Sequence, residues 1–214
     1  MEETALNIPS DTVIVIGRQF GSGGRSIGKI IARKLGIKYY DSELLSQAAA
    51  RLGMHPDIFQ NHDEKKPSVL RTLIQGLYGI ADNFHSVPLN GEIIYQEQSK
   101  VIRELCNDGP CVIVGRTADY ILRHKPHVLS VFLHSPVEYR AKEIVKRKET
   151  QNIEEAVAMA KQKDRSRESY YNFFTGSNSW GKADNYDLSV DTSNLGFEEV
   201  ADFIINIARS KFKT

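Results

Sequence analysis

Cysteine is nearly absent from this chain. Cys106 and Cys111 are the only two in 214 residues, with no Cys-x-x-Cys spacing and no neighbouring histidine. That excludes a disulfide framework and a thiolate zinc site, and reads as two reduced structural thiols of a cytoplasmic protein. No apolar run comes near the roughly 20 residues a membrane-spanning helix needs. The first residues, MEETALNIPSD, lack the basic and apolar regions of a secretory leader. An excess of one charge sign is missing too. Lys and Arg number 28 against 27 Asp and Glu, a net +1, so no overall field favours nucleic acid or a lipid surface. The six histidines (55, 62, 85, 124, 127 and 134) show no ligand spacing and read as surface residues. Partners are therefore expected among small molecules, with neither nucleic acid nor membrane.

Glycine, by contrast, is concentrated in one place. The stretch Val13 to Gly28, VIVIGRQFGSGGRSIG, opens with four aliphatic residues and then carries Gly17, Gly21, Gly23, Gly24 and Gly28. The aliphatic run predicts a buried parallel strand. The glycines predict a loop whose N–H groups approach an anion, followed by a helix N-terminus that favours negative charge. Arg25 and Ser26 stand where a P-loop places its cation and its Mg²⁺-binding hydroxyl. Two registers compete. Counted back from Ser26 in GxxxxGK[ST], the first glycine becomes Gln19 and the lysine becomes Arg25. Counted as GxxGxGK, the loop is Arg18, Gly21, Gly23 and Gly24, with Gly24 in the lysine position.

Further along, the pattern predicts strands at 13–16, 37–40, 111–114, 128–133 and 186–190. They alternate with helices from 41 or 42 to 52, 92–106, 117–123, Pro136 to about 148, 152–173 and 197–208. Residues 1–11 read as an arm and 53–92 as an inserted lobe with one helix at 68–82. The TGSNSWGKADN segment after the long charged helix reads as a mobile flap. In the last helix Val200, Phe203, Ile204 and Ile207 are expected to face inward. Apolar strands alternating with helices give βαβ units, a mainly parallel sheet and helices on both faces. One α/β domain spanning 1–214 is the expected organisation.

Ligands in such sheets bind beyond the carboxyl ends of the strands. Those ends carry Gly17-Arg18, Asp41-Ser42, Gly115-Arg116, His134-Ser135 and Asp191-Thr192-Ser193. Cationic donors for a phosphoryl group are available from Arg25, from Arg116, and from Lys163, Arg165 and Arg167 in AKQKDRSRESYY. The plainer alternatives are a solvated helix face for 161–167, a surface ion pair for Arg116, and helix capping for Ser26 and Ser42. Trp180 and Tyr170-Tyr171 fit base stacking and flap packing equally.

Four blocks, in order, carry a resemblance. They are IGRQFGSGGRSIGKIIARKLGIKYYDSELL, VIVGRTADYIL, DRSRESYY and YDLSVDTSNLGFEEV. Together they resemble the cytidylate kinase-like family of P-loop nucleoside monophosphate kinases, over nearly the whole chain. The resemblance implies a three-layer P-loop kinase fold with five parallel strands in the order 2-3-1-4-5 and a small helical insertion. It implies ATP, Mg²⁺ and a nucleoside monophosphate acceptor of the CMP or dCMP kind. Gly21, Ser22, Gly23, Gly24, Arg25 and Ser26 would then hold the ATP phosphates, and Ser26 the Mg²⁺. Asp191 and Thr192 would border the adenine. Ser42, Arg116, Asp119, Asp164 and Arg167 would contact the acceptor, with Arg25, Arg165 and Arg167 as the catalytic cations. Residues 53–92 would cover the acceptor and 161–184 would form a lid. This chain departs from the family pattern at Gly24, at Thr117 (an aspartate position, with Asp119 a short turn on), and at Gln47 and Ala160, where arginines are expected. Two other readings stay open: a nucleotide-binding module that has lost its catalytic cation, and a kinase for a non-nucleotide small molecule.

Overall fold

The computed structural model describes residues 8–51 and 91–213, so the predicted lobe and its helix at 68–82 lie outside the described residues. Five strands form one sheet: β1 Val13–Arg18, β2 Lys38–Tyr40, β3 Cys111–Val114, β4 Val128–His134 and β5 Leu188–Asp191. All neighbours pair in parallel, and the order is β2-β3-β1-β4-β5. The helices are α1 Gly24–Leu35, α2 Ser42–Arg51, α3 Gly91–Leu105, α4 Ala118–Ile121, α5 Val137–Lys146, α6 Ile153–Thr175 and α7 Phe197–Lys211.

Strand alternation sorts the core into two faces. Ile14, Ile16, Val112, Val114, Leu129, Val131 and Leu133 pack with Ile27, Ile31 and Leu35 of α1 and with Val200, Ile204 and Ile205 of α7. Val13, Val15, Cys111 and Ile113 point the other way. They meet Leu45 of α2, Val101, Ile102 and Leu105 of α3, and the short α4. A third cluster joins α5 to α6 through Ala141, Ile144, Ala156 and Ala160, with Phe20 against it.

Strand register shapes one edge of the sheet. β1 pairs with β3 only as far as Ile16↔Val114, but with β4 through Gly17↔Phe132 and Arg18↔Leu133. β3 therefore ends first, and a crevice opens between it and the last residues of β1. Strand order puts the topological switch point there, where ligands of open α/β sheets bind.

Two expectations need correction. Phe203 is 48% exposed, because the buried stripe of α7 is Val200, Ala201, Ile204, Ile205 and Ala208. At 100° per residue Phe203 lies about 130° from the centre of that stripe. His127 is not a simple surface histidine: its Nδ1 is 2.7 Å from Asp11 Oδ1 and its ring meets Phe212 edge-on. The segment after α6 is folded and packed. Thr175, Ser177 and Ser179 form a chain of hydroxyl contacts at 2.9 and 2.7 Å, and Trp180 stands edge-on to Phe132 with centroids 5.3 Å apart.

Candidate functional site

The glycine loop leaves β1 and enters α1 through two left-handed residues, Gly21 (φ 87°) and Gly23 (φ 83°). Gly23 is the N-cap of α1, with no side-chain cap and no acidic residue in the first turn. The leading N–H groups of α1 thus face an uncancelled positive helix end, the condition for holding an anion. The helix opens at Gly24.

The loop is held from below by neutral groups. Ser22 is fully buried, and its hydroxyl lies 2.9 Å from Gln19 O and 3.0 Å from Leu133 O. Thr192, also fully buried, donates to Ser22 O at 3.0 Å and meets the Ser135 hydroxyl at 2.6 Å. The Ser135 N–H donates to Gln19 Oε1. The side chains of Ser22 and Thr192 therefore shape the loop and leave its backbone to meet a ligand. Asp191 is exposed and caps the following turn by accepting from Ser193 N at 2.8 Å.

A charged strut completes this support. Asp164 of α6 accepts from Phe20 N through Oδ1 and from Arg140 Nη1 through Oδ2, both at 2.7 Å. Arg140 also donates to Phe20 O and Ser135 O, each at 2.9 Å. Sequence reasoning missed Arg140. Its one signal is a charge lying next to Ala141 and Ile144, on the inward stripe of α5.

Arg25 and Ser26 follow on the first turn of α1, both exposed. Arg25 reaches sideways: Nη2 donates to Ser42 Oγ at 3.3 Å and Nε lies 3.8 Å from Asp41 Oδ2. Asp41, not Ser42, caps α2, accepting from the N–H groups of Glu43 and Leu44. Tyr39 donates to the other oxygen of Asp41 at 3.3 Å. Burial, and then the Asp41 charge, push the Tyr39 phenol well above its ordinary range.

On the far side of the crevice β3 ends in three consecutive left-handed residues, Gly115 (φ 83°), Arg116 (φ 64°) and Thr117 (φ 52°). For the two non-glycine residues this costs on the order of 1–2 kcal/mol each. Thr117 meets that cost with hydrogen bonds to Arg116 O at 2.6 Å and Tyr95 Oη at 3.0 Å. The turn aims buried Arg116 into a cleft also lined by Gly17, Arg18, Asp119, Arg167 and Trp180. Asp119 accepts from Tyr171 Oη at 2.7 Å, and Tyr171 Oη accepts from Asn185 Nδ2 at 2.8 Å. Burial pushes the Asp119 carboxyl above its usual value. Arg167 Nη1 lies 3.5 Å from Arg18 O, whereas Arg165 is exposed on α6. A larger cavity, about 400 Å³, shares Asp119 and Tyr171 with this cleft and runs on to Lys125, Asp187 and Lys211. No residue of the glycine loop lines it.

The structure thus gathers Arg116, Asp119 and Arg167 at one cleft, sets Arg25 against Ser42, and places Asp164 beneath the loop. A sequence profile of the cytidylate kinase-like family matches residues 13–194. The chain belongs to the cytidylate kinase-like family. Membership makes it a nucleoside monophosphate kinase-like phosphotransferase by family, and the parallel sheet carries the P-loop kinase order. Among family relatives, a cytidylate kinase of Sulfolobus acidocaldarius is 27% identical over 198 residues, 92% of this chain and 94% of its own. A solved structure from Eubacterium ventriosum superposes with a TM-score of 0.69 at 26% identity, covering 93% of this chain and 99% of that one. A shikimate kinase from Bacteroides thetaiotaomicron shares the fold (TM-score 0.52, 12% identity, 95% and 99% covered).

Proposed function

We propose that this chain transfers the γ-phosphoryl group of ATP, with Mg²⁺, to a nucleoside monophosphate of the CMP or dCMP type. One observation carries the reading. The end of β1, which leads into the glycine loop, and the buried, strained Arg116 line the same cleft at the switch point of the sheet. Donor and acceptor phosphates would then sit side by side. Phosphoryl transfer needs positioned positive charge and little covalent chemistry from the protein.

In this reading the backbone of Gly21 to Ser26 holds the ATP phosphates, and Asp191 and Thr192 border the adenine. Arg116, Asp119, Arg167 and Ser42 hold the acceptor, with Arg25 reaching the acceptor side through Ser42. Arg165 approaches from its exposed position. Asp164 acts on the loop backbone. Mg²⁺ fits the donor set. Ser26 offers an exposed hydroxyl beside the loop. That suits an ion completed by phosphates and water. Bound there, it would offset phosphate charge.

The test is ADP release with ATP and Mg²⁺ across CMP, dCMP, UMP, AMP and non-nucleotide hydroxyl acceptors. Turnover greatest with CMP or dCMP is expected. Tight ATP binding with no release on any acceptor would sink the catalytic reading. Release with a non-nucleotide alone would move the protein to a different substrate class.

A further inference from the structure

We infer that Tyr95 is a positioning residue for Arg116, holding the strained turn at the end of β3 so that the arginine is aimed at the acceptor side of the cleft. The inference rests on the kinase reading above, in which Arg116 contacts the acceptor.

The turn is a backbone outlier. Arg116 and Thr117 follow Gly115 in the left-handed region, at φ 64° and 52°. A β-branched residue there persists only where its surroundings over-determine it. Two of the constraints are backbone bonds at the ends of the turn. Gly115 N–H donates to Ile16 O in the sheet, and Ile121 N–H of α4 donates to Thr117 O. The middle of the turn is held by side chains. Thr117 Oγ1 lies 2.6 Å from Arg116 O and 3.0 Å from Tyr95 Oη. The Arg116 carbonyl and the hydroxyls of Thr117 and Tyr95 thus form one chain, running from the turn to α3. Arg116 and Thr117 are 3% and 4% exposed, so a hydroxyl lost here is not readily replaced by bulk water.

Tyr95 is itself fixed from the other side. Its ring stacks on Phe174 of α6, with centroids 4.4 Å apart and planes 10° from parallel. One helical turn before Phe174, Tyr170 Oη donates to Gln98 Oε1 of α3 at 2.7 Å, in a buried contact. These two rungs lock α3 to α6. Burial pushes the Tyr95 phenol above its ordinary range, so its hydroxyl keeps its proton through neutral pH. The same helix α6 carries Arg167, which lines the cleft with Arg116. Through Tyr95 the turn bearing Arg116 is referenced to the helix bearing Arg167, and the spacing between the two guanidinium groups is set before a substrate arrives.

The experiment compares Tyr95→Phe, Thr117→Val, the double variant Tyr95→Phe/Thr117→Val, and Thr117→Ser in kcat and in the separate KM values of CMP and ATP. Tyr95→Phe keeps the stacked ring and removes the hydroxyl. It is expected to raise the KM of CMP about tenfold, the worth of one hydrogen bond, with the KM of ATP unchanged. Thr117→Val is expected to do the same. The double variant is expected to be no worse than either single one, because both act through one bond. Thr117→Ser, which keeps the hydroxyl, is expected to retain most of the affinity for CMP. Equal rises in both KM values, an unchanged KM for CMP, or a double variant whose loss is the product of the single losses overturns the inference. If Thr117→Val does not fold, Tyr95→Phe set against Thr117→Ser retains the comparison. If the wild type phosphorylates no acceptor, the kinase reading fails by itself. The Nε–Hε NMR signal of Arg116, identified by its loss in Arg116→Lys, then still reports on Tyr95. It is expected to move in the same direction in Tyr95→Phe and Thr117→Val, and a signal that does not move in both overturns the positioning role.

Discussion

Asp164 and Arg140 form an ion pair at 2.7 Å, with side chains 13% and 6% exposed, directly beneath the backbone of Phe20. Each also bonds one polar group of that residue, Asp164 its N–H and Arg140 its carbonyl. The pair therefore fixes the loop before any ligand arrives. Removing one partner strands the other in a dry site, which costs more than the pair contributes.

Asp164→Ala is accordingly expected to destabilise the fold by about 3 kcal/mol or more. For a chain of this size that is roughly 6–12 °C in Tm. Differential scanning calorimetry measures it. A shift under about 2 °C would show that the strut is dispensable.

Thr192→Val keeps the shape and deletes the hydroxyl that meets Ser22 O and Ser135 Oγ. The loss expected is about 1–3 kcal/mol, read from the urea midpoint, together with weaker ATP binding. Thr192→Ser, which keeps the hydroxyl, should recover most of the binding.

Asp119 gives a pH dependence whose sign is fixed. Burial raises its carboxyl pKa in the fold, so the native state holds its proton to higher pH than the unfolded chain does. The contribution to stability therefore falls as pH rises from the ordinary carboxylate value through the raised one. Asp119→Asn cannot ionise. Its stability relative to wild type should grow from about pH 4 upward and then level off. Urea titrations at stepped pH check this, and a difference that shrinks with rising pH would be the wrong sign.

Cys106 and Cys111 are buried, with their sulfurs 4.0 Å apart. The hydrogen bond to Cys106, reinforced by burial, pushes the Cys111 thiol above its usual range. Alkylation of the native protein should be slow at both, rising only with unfolding. Rapid native labelling of Cys111 would contradict this placement.

On α7, Ile204→Ala is expected to cost about 2–5 kcal/mol. Phe203→Ala, on the exposed flank, should stay within about 0.5 kcal/mol of wild type. Equal losses would mean that Phe203 is buried.

That last contrast shows where sequence reasoning stops. Val13–Ile16 and Cys111–Val114 could be read as strands because a parallel strand buried on both faces must be apolar throughout. The strand order came from resemblance, since periodicity carries no information on which strand lies beside which. Phe203 misled because a bulky residue beyond the margin of a stripe looks like part of it, whereas Ile207 does pack against the core. At the site, Arg116 was legible from standing just past a strand end, and Asp119 entered only through the resemblance. Asp164 was visible as a position, but its bond to a backbone N–H 144 residues away leaves no local trace. Arg140 went unnoticed for the same reason: it is defined by what it touches across the fold.

Helix α6 meets the rest of the protein on each successive turn past its middle. Asp164 holds Phe20, Arg167 approaches Arg18, Tyr170 bonds Gln98, Tyr171 bonds Asp119, and Phe174 stacks on Tyr95 at 4.4 Å. A hinged cover needs one free side, and this helix has its contacting side occupied along most of that length. Its amides from Asp164 to Phe174 should exchange with solvent on the timescale of the central sheet. Slow exchange along that length would make α6 a fixed wall of the cleft.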